Sequence, residues 1–117
     1  MAKILVADDN RQFVEMLRAT LEDAGFEVVT AYSGLAAASL VERDGDVDLL
    51  VLDVLMPGMS GDAVAELLRG LRPHLPVLLM TGDSGDQFVH TAGLPRLRKP
   101  FAEQELVRAV GELLGRD

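Results

Sequence analysis

The stretch Asp48-Leu49-Leu50-Val51-Leu52-Asp53-Val54-Leu55-Met56-Pro57-Gly58-Met59-Ser60-Gly61 decides the fold. Leu49 to Leu52 form an unbroken apolar run that ends in a carboxylate, and Pro57-Gly58 punctuates the chain four residues later. A run this short, without polar alternation, fits a strand buried on both faces, as parallel strands of α/β proteins are. Asp53 then stands at the strand's carboxyl end, the edge where open α/β sheets place their ligands. A charge is costly to bury alone, so a carboxylate there is either solvated or paired with a cation.

Working outward, the pattern repeats. Lys3-Ile4-Leu5-Val6-Ala7 is a compact apolar run ending in Asp8-Asp9-Asn10, where Asp9 or Asn10 can cap a helix. In that helix Phe13, Met16, Leu17, Leu21 and Ala24 recur at helical spacing, with Val14 at the border of the stripe, and Gly25 ends it. Glu27 to Ala31 is a second strand, and Leu35 to Arg43 a second helix rich in alanine. On the other side, Gly61-Asp62 opens a helix whose expected apolar face is Val64, Leu67, Leu68 and Leu71. Pro76 to Met80 is a fourth strand ending in Thr81-Gly82-Asp83, and residues 84 to 92 can form a short helix. Pro95 to Arg98 suits an edge strand, because a proline and two arginines discourage further pairing. Ala102 to Leu114 closes the chain as a helix with Leu106, Val107, Val110, Leu113 and Leu114 inward.

The order is βα five times over, which predicts a doubly wound α/β domain with a five-stranded parallel sheet and right-handed crossovers. At 117 residues the chain reads as one domain, residues 1–117, with enough apolar sequence for a sizeable core. It has no cysteine, which excludes disulfides and thiolate metal sites and suits a reducing cytosol. No apolar run reaches the roughly 18 residues of a membrane helix, and the start lacks the features of a signal peptide. A net charge of −8 argues against nucleic-acid binding through this domain.

Polar residues finish the strands: Asp8-Asp9 after the first, Asp53 after the third, Thr81 after the fourth, with Lys99 after the fifth. A parallel sheet brings these ends to one edge. Three carboxylates in a small volume repel one another unless a cation sits among them, and Mg2+ suits oxygen ligands of this kind. A hydroxyl and an ammonium facing the same spot add donors for an anion with several oxygens. Together these groups describe phosphoryl transfer.

Each residue also has a plainer reading. Asp8 and Asp9 taken alone read as helix caps, Asp53 as a solvated loop carboxylate, Thr81 as a cap and Lys99 as a surface lysine. Their joint occurrence at strand ends favours the site. Lys3 is the only other lysine, so positive charge elsewhere is left to arginine. His74 and His90 read as surface residues, and Met56 and Met59 as loop packing.

Four motifs carry a resemblance: Val6-Ala7-Asp8-Asp9-Asn10, then Leu52-Asp53-Val54-Leu55-Met56-Pro57-Gly58-Met59-Ser60-Gly61, then Met80-Thr81-Gly82, then Arg98-Lys99-Pro100-Phe101. Over essentially its whole length the chain resembles a CheY-like receiver domain of the two-component response-regulator family. The resemblance implies a flavodoxin-like fold with strand order 2-1-3-4-5. It implies that Asp53 takes a phosphoryl group from a phosphohistidine on a histidine kinase or phosphotransfer protein. Asp9 would bind Mg2+ directly, with Asp8, Asp53 and the backbone carbonyl of Leu55 contributing. Thr81, the N–H of Gly82 and Lys99 would hold the phosphoryl oxygens, and the Lys99-Pro100 bond would be cis.

The expected output is changed binding of a downstream protein, with no membrane role. Receivers usually carry Tyr or Phe three residues before the lysine, and this chain has Arg96, which could act in the switch by changing ion pairs with Asp83 or Asp86. Gly82 after Thr81, with Leu97 to Phe101, is similar to receivers attached to hybrid histidine kinases. No output domain follows Asp117, so the sequence reads as a stand-alone receiver or a piece of a longer protein. The alternatives are a Mg2+-dependent aspartyl-phosphate phosphatase, which wants an aspartate where Leu55 stands, and a receiver-shaped interaction module that never takes phosphate.

Overall fold

Each of the apolar runs becomes a strand in the computed structural model, which describes residues 1–82 and 94–115. The elements are β1 (Lys3–Ala7), α1 (Arg11–Asp23), β2 (Glu27–Ala31), α2 (Gly34–Arg43), β3 (Leu49–Asp53), α3 (Gly61–Leu71), β4 (Val77–Thr81), β5 (Arg96–Arg98) and α4 (Glu103–Leu113). The helix expected at residues 84 to 92 lies outside the described residues. The strands form one parallel sheet in the order β2-β1-β3-β4-β5. This is the flavodoxin-like order the resemblance implies.

Successive strand side chains point to opposite faces, so a strand covered on both sides must be apolar throughout. Leu5, Leu50, Leu52 and Leu79 pack on the α2 and α3 side with Val41, Val64 and Leu68. Ile4, Val6, Leu49, Val51, Leu78 and Met80 pack on the α1 and α4 side with Val14, Leu17, Leu21, Leu106 and Val110. That alternation explains why β3 and β4 are buried at every position.

Helix faces required correction. Val14, placed at the border of the α1 stripe, is fully buried with Leu17 and Leu21, whereas Met16 is exposed. Met16 lies one residue, about 100°, around the helix from Leu17, and only a narrow stripe touches the sheet. Ala24 is exposed because it caps the helix instead of continuing it. In α3 the buried stripe is Gly61, Val64, Ala65 and Leu68, and it leaves Leu67 and Leu71 exposed on its flank. Val107 of α4 is only half-buried, while Leu106 and Val110 form the inward face. Thr20 ties α1 to α4, its hydroxyl donating to Glu103 Oε1 at 3.0 Å.

Candidate functional site

Strand register builds the site. Ala7 pairs with Leu52, so Asp8 and Asp53 leave β1 and β3 at the same level and on the same face. Asp53 pairs with Met80, which sets Thr81 one step further along β4, and Thr81 pairs with Arg98 immediately before Lys99. The Lys99 N–H donates to the Thr81 carbonyl at 2.7 Å, fixing the root of the lysine at the sheet edge. The Lys99-Pro100 peptide bond is cis, as the resemblance implied.

The side chains converge. Lys99 Nζ donates to Asp8 Oδ2 at 3.0 Å and to Asp53 Oδ1 at 3.2 Å. It also lies 4.7 Å from the centre of the Phe13 ring. Carboxylate oxygens of Asp8, Asp9 and Asp53 all lie within 4.8 Å of one another, with Asp8 and Asp53 buried and Asp9 exposed. The cap reading of the two aspartates falls to their neighbour. Asn10 caps α1 by accepting the Phe13 N–H at 3.1 Å, and Asp8 Oδ1 accepts the Asn10 N–H at 3.0 Å.

Electrostatics follow from this crowding. Burial, and then the negative charge of Asp8, push the Asp53 carboxyl up to about 6, although Lys99 pulls the other way. Burial alone would lower Lys99, but its hydrogen bonds and charge pairing with Asp8 and Asp53 outweigh that and raise it. Two buried carboxylates thus share one ammonium, with a third carboxylate at the rim. Negative charge is in surplus, and the hard oxygen donors suit a small divalent cation.

Thr81 is buried at the end of β4, and strand alternation starts its side chain on the α2 and α3 side; no hydrogen bond joins its hydroxyl to Asp53. Gly82 follows it, with open space where a Cβ would stand. The loop after β3 folds back on the strand. Val54 N–H donates to Met80 O at 3.0 Å and Gly61 N–H to Val54 O at 2.9 Å. Met56 and Met59 pack into the core beneath it, while the Leu55 side chain is exposed. Arg96 is exposed on β5, makes no ion pair among the described residues, and its expected partners Asp83 and Asp86 lie outside them.

Two contributors escaped the sequence reading. A Cβ on Gly61 would lie 2.2 Å from the Asp53 carbonyl oxygen, so glycine is what lets α3 start against the end of β3. Its place in the Pro-Gly-Met-Ser-Gly loop hinted at a close approach. Phe13 was counted as core, and no pattern in the sequence marked its ring as a neighbour of Lys99.

Residues 4–111 match the model of the response regulator receiver domain. The chain belongs to that family. This receiver is 41% identical over 120 residues to the response regulator MprA of Mycobacterium tuberculosis, covering 97% of this chain and 51% of that protein. It spans about half the length of the curated relatives it matches. Its fold superposes on a response regulator receiver domain protein from Clostridium thermocellum with a TM-score of 0.90, at 28% identity and coverage of 98% and 95% of the two chains. It superposes on the signal receiver domain of a histidine kinase from Syntrophus aciditrophicus with a TM-score of 0.89, at 29% identity and coverage of 98% and 91%. Receivers of both attachments share this backbone, so the fold does not separate them. Receivers of this family are regulatory phosphoacceptor domains of two-component signalling.

Proposed function

We propose that Asp53 is the phosphoacceptor of this receiver. The observation that carries the reading is a buried carboxylate at the end of β3, hydrogen-bonded to Lys99 and within 4.8 Å of the Asp8 and Asp9 carboxylates. A carboxylate oxygen of Asp53 forms the new O–P bond as the N–P bond of a phosphohistidine breaks, and the imidazole leaves with its nitrogen lone pair. Asp8, Asp9, Asp53 and the carbonyl of Leu55 would hold Mg2+, which supplies positive charge to the incoming phosphoryl oxygens. Lys99 exchanges its bond to Asp53 Oδ1 for a phosphoryl oxygen, and Thr81 and the Gly82 N–H donate to the others. Drawing the Thr81 hydroxyl toward the new anion moves the end of β4, and that displacement is the signal.

Arg96 occupies the surface beside this strand and takes the place of the usual aromatic in the switch. The phosphodonor is a histidine kinase or phosphotransfer protein, the reader a downstream protein, and the setting the cytoplasm. Residues 1–117 act as a single receiver domain that recognises no nucleic acid itself. The phosphatase alternative finds no support at Leu55, an exposed hydrocarbon where a second acid would be needed.

Intact mass after incubation with acetyl phosphate and Mg2+ tests the reading. A single phosphate on the wild type, absent from Asp53→Asn and from a metal-free control, is the expected result. An adduct that persists on Asp53→Asn assigns the acceptor elsewhere.

A further inference from the structure

We infer that Phe13 is a positioning residue of this site, its ring face holding the Lys99 ammonium over the carboxylate pair. The inference rests on the proposed role of Asp53 and assigns a new part to a residue of α1. Lys99 is tethered at its backbone, but four rotatable side-chain torsions separate that tether from its charge. Its two directed contacts go to Asp8 and Asp53, the same groups that must rearrange when a cation or a phosphoryl group arrives. The third contact is the Phe13 ring, 4.7 Å from Nζ to the ring centre. An aromatic face attracts an ammonium without demanding one direction, so the charge can slide between oxygens and keep this neighbour.

Phe13 is itself held in place from two sides. Its N–H is the one capped by Asn10, immediately after the Asp8-Asp9 pair. Its ring meets Phe101 at 6.0 Å between centres, tilted by 60°, a favourable aromatic geometry. Phe101 follows Lys99 by two residues, so the rings link the start of α1 to the segment that carries the lysine. Both are only partly buried at the edge of the α1 and α4 core, unlike Val14 beside them, which is fully buried. A residue serving the core alone would be the buried one.

Phe13→Leu keeps an apolar side chain and removes the π face, whereas Phe13→Tyr keeps both. Phosphorylation by acetyl phosphate is expected to slow about three- to tenfold in Phe13→Leu and to stay near wild type in Phe13→Tyr. In a Lys99→Met background the leucine substitution should change the rate no further. Proton NMR of the metal-free protein supplies a second readout. The Lys99 ε-methylene should be shifted upfield by the ring in wild type and Phe13→Tyr, and return to its ordinary position in Phe13→Leu. An equal loss in both lysine backgrounds, an unslowed Phe13→Leu, or an unshifted wild-type methylene overturns the inference. A wild type that takes no phosphate overturns the reading of Asp53 instead, and the methylene shift then decides whether Phe13 holds Lys99.

Discussion

The chain's two lysines stand at opposite edges of one sheet, each between carboxylates, and their surroundings give opposite results. Lys3, at the start of β1, donates to Asp44 Oδ2 at 2.9 Å and lies 3.6 Å from Glu27, while its N–H donates to Asp48 Oδ2 at 2.8 Å. Lys99, beyond the end of β5, bridges Asp8 and Asp53 at similar distances. The Asp44 carboxyl is held below its ordinary range by Lys3 and then by the Asp46 N–H, whereas Asp53 is pushed up to about 6. The lysines do not account for the difference; the water around the carboxylates does. The side chains of Asp44 and Glu27 are 28% and 52% exposed, against 2% and 10% for Asp8 and Asp53. An ion pair in water settles its own charge, but two buried carboxylates on one ammonium retain a demand for more positive charge.

Removing each lysine tests that contrast most severely. Lys99→Met should lower the metal-free unfolding free energy by about 3 kcal/mol, because it strands two buried carboxylates, and Mg2+ should restore part of the loss. Lys3→Met should shift the urea midpoint far less. Equal shifts would mean that the two edges are electrostatically alike.

Substituting the acids should give opposite signs. The folded carboxyl of Asp53 titrates near 6 against an ordinary value of 3.8, so the folded state holds its proton longer than the unfolded chain does. Stability is then lost as pH rises from about 4 to 6, and the full penalty persists above 6. Asp53→Asn should therefore stabilise the metal-free protein by about 2 to 3 kcal/mol at pH 7 and by almost nothing near pH 4. Asp44 contributes in the other direction. Its stabilisation is present above its ordinary value and is lost as pH falls through its depressed folded one, so Asp44→Asn should be mildly destabilising at neutral pH. Urea titrations across pH 4 to 8 measure both, and a destabilised Asp53→Asn at pH 7 would remove the surplus charge from the account.

Two glycines of α3 extend the comparison to the backbone, with the smallest effects. Gly61, against Asp53, has no room for a Cβ, and Gly61→Ala should cost about 2 kcal/mol and disturb metal binding. Gly70, near the other end of the helix, has nothing within 4 Å, and Gly70→Ala should stabilise by about 0.5 to 1 kcal/mol. Thermal unfolding of the pair would show whether tightness is confined to the site edge.

What was legible in the residues had a local cause. Leu49 to Leu52 and Val77 to Met80 announce strands buried on both faces because every position is apolar, and Asn10 caps α1 with its own side chain. Asp8, Asp53, Thr81 and Lys99 were legible as strand-end residues because parallel strands bring their ends to one edge. Met16, Leu67 and Leu71 were misplaced because helical spacing marks an apolar stripe but not its boundaries. Those depend on where the sheet and the neighbouring helix lie.

Chain order and residue type thus determined the element sequence, the parallel sheet and the roster of charged groups at its edge. Tertiary structure alone decided how deeply those groups are buried, that Gly61 backs directly onto Asp53, and that Phe13 faces Lys99. Backbone propensity and apolar runs act over a few residues, whereas desolvation and ring contact depend on atoms brought together from distant parts of the chain. Sequence position marked Lys99 for the strand-end cluster and left Lys3 outside it, but only packing leaves the Lys3 carboxylates in water and buries those of Lys99.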